Sequence, residues 1–301
     1  MAMGSAFLSQ VIYIEERLAN DRNYTLEKDT IDDGICELMN TTDPDFITQQ
    51  EIAGELATWT MINQALCFLP VAVLAPFYGV LSDRFGRKLS FALPFLSHVI
   101  YCIIAILTVR HHLPLAFLAF GNFVLGVGGY FTFFLNSCYA YISDISSENK
   151  RLVRIAIVTT TNIFSIAFVQ IPISYLLEVS KSAAFLMSLV FAILGIIYLV
   201  TPGLLLDTVK TGDRSHKRSI SFKEILQTIR ALFAVNTQGR RTRLLLLFVM
   251  FFLTDIFQLS SGAGTIFGLY GLGPPFCWSP TTMAFFNIVM LVSTAIGKCS
   301  K

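Results

Sequence analysis

Polar side chains set inside long apolar runs are costly in lipid, so they face a cavity or a partner helix and are the first candidates for chemistry. Asp255 stands about 12 residues, roughly 18 Å along a helix, beyond Arg243 and near the middle of such a run. Gln258 and Gly262 follow on the same face. Asp255 is therefore either a proton acceptor or contact for a cationic group, or a structural carboxyl bonded to another helix. Earlier in the chain Thr159, Asn162 and Gln170 fall within one narrow helical sector. Before them Asn122, Gly126, Gly129, Phe133 and Asn136 form a comparable stripe. Either these stripes line a central cavity or they pack helices through small and polar residues.

Other chemistries find no residues to carry them. No nucleophile, base and orienting group, no metal set and no paired carboxylates stand together, so an enzyme is not expected, and neither a metal nor a cofactor. His98, alone in an apolar run, reads first as a hydrogen-bonded structural residue. Gly126, Gly128 and Gly129 lie inside an apolar run and not after a strand, which makes them packing positions and not a phosphate loop. No Walker-type loop is present, so any pumping must draw on an ion or solute gradient. The chain has no basic stretch interleaved with aromatics, which removes nucleic acid as a partner.

The elements that must hold these residues are membrane spans. With 54% hydrophobic and 14% charged residues and a mean hydropathy of +0.65, the chain is far more apolar than a soluble domain. Runs long enough to cross a bilayer extend from Leu56 to Leu81, Leu89 to Val109, Leu115 to Ile142, Leu152 to Leu177, Ala183 to Leu206, Leu244 to Leu269 and Thr281 to Gly297. The opening run, residues 1–14, is too short to cross alone and lacks the flanks of a signal peptide. It reads as the tail of a first span. Lys and Arg gather between the second and third spans, between the fourth and fifth, and in residues 207–243, which places those loops in the cytosol. Residues 15–55 then form an external loop carrying two glycosylation sequons, at Asn23 and Asn40. The 207–243 linker contains a helix, capped by Ser221, with an apolar face suited to the membrane surface. Cys36 and Cys277 are the cysteines in external loops, where they are either a disulfide or free thiols.

One motif is specific. Gly79-Val80-Leu81-Ser82-Asp83-Arg84-Phe85-Gly86-Arg87-Lys88 resembles the signature of the major facilitator superfamily and sits in the cytosolic turn where that signature belongs. The expected fold is thus an all-α membrane protein, a major facilitator superfamily-like helical bundle. Its N-terminal six-span half (1–14, then 56–206) is nearly complete, and spans seven and eight (244–297) begin the C-terminal half before a truncated end at 298–301. Gly79 is expected to admit a close helix neighbour and Gly86 to allow a tight reversal. The resemblance assigns Asp83, Arg84, Arg87 and Lys88, with Asp144 from the next cytosolic loop, to a breakable latch that favours an outward-facing state.

A narrower resemblance covers nearly the whole chain. The stretches from Ser143 to Arg154 and from Leu269 to Trp278 are similar to loops of the family that contains the proton-coupled folate transporter and the thymic stromal cotransporter. That resemblance implies a Cys36 to Cys277 disulfide. It also implies secondary transport of a small organic solute, an organic anion or amphipathic metabolite, by alternating access. Uptake is the expected direction and protons are candidate coupling partners. The location would be a plasma or endolysosomal membrane. Thr159, Ser260 and Asn122 stand where the folate transporter carries a glutamate, a histidine and an arginine, and none of the three can exchange a proton near neutral pH. Neither folate nor the folate transporter's coupling scheme therefore follows. The chain reads as a piece of a longer protein or a short isoform. Its competing role is that of a truncated, non-transporting membrane protein acting as an interaction or regulatory partner.

Overall fold

The computed structural model describes residues 2–22 and 44–201, with isolated positions between 246 and 293. Apolar backbone must satisfy its own hydrogen bonds in lipid, and the main described segments are helical: α1 (Ala2–Asp21), α2 (Pro44–Phe85), α3 (Arg87–His111), α4 (Leu115–Val127), α5 (Tyr130–Ile145), α6 (Glu148–Val179) and α7 (Lys181–Val200). Among the described residues five candidate spans are long and apolar enough to cross a membrane, with α4 and α5 counted together as one. The all-α bundle expected from the sequence is the fold found.

The helices outrun the apolar runs. α1 continues through Asp21, and α2 begins at Pro44, so both ends of the expected 15–55 external loop are helical. Hydropathy marks only the lipid-facing length, whereas a helix continues wherever its polar ends find partners. Here Arg22 donates to Glu51 Oε2 at 2.7 Å and to Glu55 Oε1 at 2.6 Å, joining the end of α1 to the first turns of α2. Lys181 at the start of α7 pairs with Glu16 of α1. Pro44 suits a first helical position because its missing N–H has no intrahelical partner there.

The second departure is in the fourth span, which is continuous in hydropathy but broken in structure. α4 ends at Gly128, and Gly129 takes φ of 88°, a left-handed conformation that favours glycine. Close packing explains the glycines around the break. A Cβ at Gly126 would strike the Cys67 carbonyl of α2, and one at Gly128 would strike Ser97 of α3. α4 is thereby wedged between α2 and α3. The break leaves the Val127 carbonyl without a helical donor, and the Tyr78 hydroxyl of α2 donates to it. The Tyr78 ring then stacks on Phe133 at 4.4 Å, fixing the start of α5.

The core gathers on α1, α2, α3, α4 and α7, with Ile14, Tyr101, Cys102, Leu118 and Phe185 fully enclosed or nearly so. Large apolar side chains of α6 and α7, such as Phe168, Val190 and Leu194, are exposed. In a membrane protein such faces meet lipid or further helices. The expected linker 207–243, and most of spans seven and eight, lie outside the described residues.

Candidate functional site

Five helices, α1 to α5, border a cavity of about 270 Å³. Its polar wall is contributed by Gln10 of α1, Asn63 and Gln64 of α2, His98 and Tyr101 of α3 and Asn122 of α4. The Tyr101 hydroxyl donates to Gln10 Oε1 at 2.9 Å. Asn122 Nδ2 donates to the same oxygen at 3.2 Å and to Asn63 Oδ1 at 3.2 Å, while also reaching the Leu118 carbonyl at 2.9 Å. The amide of Asn122 thus joins α4 to both α1 and α2. Phe68 and Tyr130, edge to face at 5.7 Å, add aromatic surface.

Two members of the wall have further chemistry. Asn63 is 3% exposed, and its Nδ2 donor meets no acceptor among the described residues. An amide donor left open in a buried wall is costly, which suits a site where a ligand or water oxygen completes it. His98 is fully buried, and its Nε2 lies 2.9 Å from Ser188 Oγ of α7. The structural hydrogen bond expected for this histidine is present, and the ring also borders the cavity.

The residues singled out in the sequence divide into groups. Asn122 is central to the cavity. Thr159 of α6 instead shares a hydrogen bond with the Tyr139 hydroxyl at 3.1 Å. Asn162 is half-buried and Asn136 exposed, and neither borders the cavity. Gln170 belongs to α6, but its side chain lies outside the described residues. So do Asp255, Gln258, Ser260, Cys36, Cys277, Asn23 and Asn40 in their entirety. Gln10, Asn63 and Tyr101 were missed. Asn63 could have been found by the rule that found Asn122, a polar residue inside an apolar span. Gln10 sits in the short opening run, whose span could not be drawn.

At the basic end of the bundle Gly86 reverses the chain with φ of 91°. The reversal brings Arg87 to Asp144, with Nε donating to Oδ2 at 2.9 Å and Nη1 donating to Ser82 Oγ at 2.6 Å. Arg154 caps the end of α5 through the Ile145 carbonyl at 3.3 Å and Ser146 Oγ at 3.1 Å. The side chains of Asp83 and Arg84 lie outside the described residues. Gly79 departs from expectation: among the described residues nothing stands within 4 Å of a Cβ built there. The close approach is made at Gly126 and Gly128 instead, because α4 and not the motif helix is the element wedged between neighbours.

Residues 44–300 match the family described as Major Facilitator Superfamily. A chain of transmembrane helices with this signature turn and an interior polar cavity is a multi-pass membrane protein of the facilitator class. The chain belongs to the Major Facilitator Superfamily. It is 25% identical over 257 residues to a chicken (Gallus gallus) protein named as a lysosomal proton-coupled steroid conjugate and bile acid symporter, covering 83% of this chain and 54% of that one. The human (Homo sapiens) protein of that name is 26% identical over 279 residues, 91% of this chain and 59% of the relative. A bovine (Bos taurus) proton-coupled folate transporter is 23% identical over 236 residues, 78% of this chain and 50% of the relative. The chain therefore spans somewhat more than half the length of the first two relatives and half that of the third.

Proposed function

We propose that this chain contributes to secondary transport of a small organic solute by alternating access, with the α1 to α5 cavity forming part of the solute path. The observation that carries this reading is the open Nδ2 donor of Asn63, buried in a membrane-embedded cavity where the side chains of Gln10, Tyr101 and Asn122 are engaged with one another. Facilitators bind solute near the bilayer midplane between their rocking halves. A volume of about 270 Å³ lies just under the usual range of small-molecule pockets, which starts at about 300 Å³, so a larger cargo would extend beyond this wall toward the second half. Asp255, Gln258, Thr159, Asn162, Gln170 and Asn136 are the further candidates for that path, and Asn122 orders the near wall. The names of the relatives support an organic anion or amphipathic cargo, proton coupling and a lysosomal membrane, and a plasma membrane is the alternative location.

The Arg87 to Asp144 pair serves as the latch. It ties the turn between α2 and α3 to the end of α5, and rocking requires that this tie break and reform. Gly86 shapes the turn, and Asp83, Arg84 and Lys88 supply its remaining charges. Gly79 belongs to the same motif, with no packing contact at its Cβ position among the described residues.

The test is counterflow in liposomes containing the chain. Labelled taurocholate, a steroid sulfate and folate are each offered outside vesicles loaded with the same unlabelled compound. Accumulation of at least one probe, reduced at least tenfold in Asn63→Leu, supports the reading. Absence of counterflow for every probe removes it.

A further inference from the structure

We propose that His98 is the group that binds the coupled proton, an inference that rests on the transport reading above. Among the described residues, the cavity wall contains no Asp, Glu, Lys or Arg. What the cavity does offer is an imidazole, the side chain whose ordinary titration falls between about pH 5 and pH 8. The other titratable groups that border the cavity are Cys67 of α2, Tyr101 of α3 and Tyr130 of α5, with Cys102 on the adjoining turn of α3. All of these ordinarily titrate above that range. From α1, α4 and α7 the wall and its backing present Gln10, Asn122 and Ser188, which do not titrate.

The geometry gives the proton somewhere to act. His98 Nε2 lies 2.9 Å from Ser188 Oγ, one of several contacts that join α3 to α7 behind the cavity. A serine hydroxyl can accept from the ring or donate to it, and a protonated imidazole only donates. Proton uptake thus fixes the direction of the His98 to Ser188 hydrogen bond and adds a positive charge to a wall that otherwise has none. A buried charge is costly unless compensated, so the protonated state is favoured when a cargo oxygen occupies the cavity. By linkage, a cargo that raises the proton affinity of His98 has its own affinity raised by the same factor. The proton comes from water on the acidic side, adds to an imidazole nitrogen, and returns to water on the other side when the cavity opens there. No other bond changes.

The experiment uses the same liposomes and probes, measured as initial uptake at about pH 5.5 and about pH 7.5 outside. The sulfonate of taurocholate and the sulfate of a steroid sulfate stay ionised over that interval, so the pH profile reports the protein. Protonation of an imidazole increases toward acid, so faster uptake at the lower pH, and hence a rate ratio above unity, is expected for the unsubstituted chain. In His98→Gln the ratio falls to about one, whatever the absolute rate. In Ser188→Ala the acid dependence persists, with its midpoint moved about half a pH unit toward acid, because the imidazolium loses an acceptor. A His98→Gln variant with the unsubstituted ratio overturns the inference and leaves transport standing. So does an unsubstituted chain that moves a probe with a flat pH profile. If His98→Gln fails to reach the membrane, Ser188→Ala decides, and an unmoved midpoint overturns the inference. No movement of any probe by the unsubstituted chain defeats the transport reading, and the coupling with it.

Discussion

Arg87 Nε donates to Asp144 Oδ2 at 2.9 Å, so residues far apart in sequence join the turn after α2 to the last turn of α5. Both side chains are partly open to solvent, at 16% and 36% exposure. An ion pair of that kind is worth about 1 kcal/mol or less, strong enough to bias a rocking equilibrium and weak enough to break in each cycle. A double-mutant cycle with Arg87→Gln and Asp144→Asn, read by thermal unfolding in detergent, is expected to return a coupling of about 0.5 to 1 kcal/mol that shrinks in high salt. Full additivity of the two substitutions would show that the pair is not a tie.

Asn122 holds the cavity wall together. Asn122→Leu removes its bonds to Gln10 and Asn63 and leaves buried acceptors without this donor. A loss of about 1 to 3 kcal/mol of stability is expected. Asn122→Asp keeps the shape but replaces a donor by an acceptor. It is expected to lower the unfolding temperature further at neutral pH and to recover part of the loss in acid, where the carboxyl can donate. A pH-independent deficit would count against this account.

Two glycines make opposite predictions. A Cβ at Gly126 would meet the Cys67 carbonyl, backbone that cannot swing aside, whereas one at Gly79 meets open space among the described residues. Gly126→Ala should cost about 1 to 3 kcal/mol by overpacking. Gly79→Ala should be neutral or slightly stabilising, since alanine favours a helix by up to about 1 kcal/mol. Thermal unfolding of the two variants side by side is the check, and equal behaviour would refute the wedged packing of α4.

At the opposite end of the bundle, Arg22 bridges Glu51 and Glu55. Arg22→Gln should loosen the end of α1 from α2, at a cost of about 1 kcal/mol that disappears as salt is raised. Hydrogen exchange of the last turn of α1 would register it as faster exchange in the variant at low salt only.

The described spans and the signature turn were legible in the sequence because lipid imposes a length and an apolar character on whatever crosses it, and Gly86 with Arg87 lies in a motif with few alternatives. The break at Gly128 and Gly129 was not legible, since hydropathy is blind to backbone dihedrals and the residues on either side are equally apolar. The polar extensions of α1 and α2 were hidden for the opposite reason: Arg22, Glu51 and Glu55 look like loop residues until they are seen to pair. Asn122 was found from its place in a span, but its side-chain partners came from two other helices, and no periodicity along one helix shows which neighbour will face it. Asn136 and Asn162 share the stripes that suggested them, yet the angular sector of a helix does not say which sector meets the cavity.

The neutrality of the described cavity wall has an electrical consequence. A membrane potential acts on moving charge, at about 2.3 kcal/mol per elementary charge per 100 mV. Gln10, Asn63, Tyr101 and Asn122 carry none, so when His98 is deprotonated this wall would cross the field without doing electrical work. As far as the described wall is concerned, the current recorded during a cycle would then reflect the cargo and its proton. A monovalent anion accompanied by one proton would move silently in a voltage clamp, and a divalent one would not.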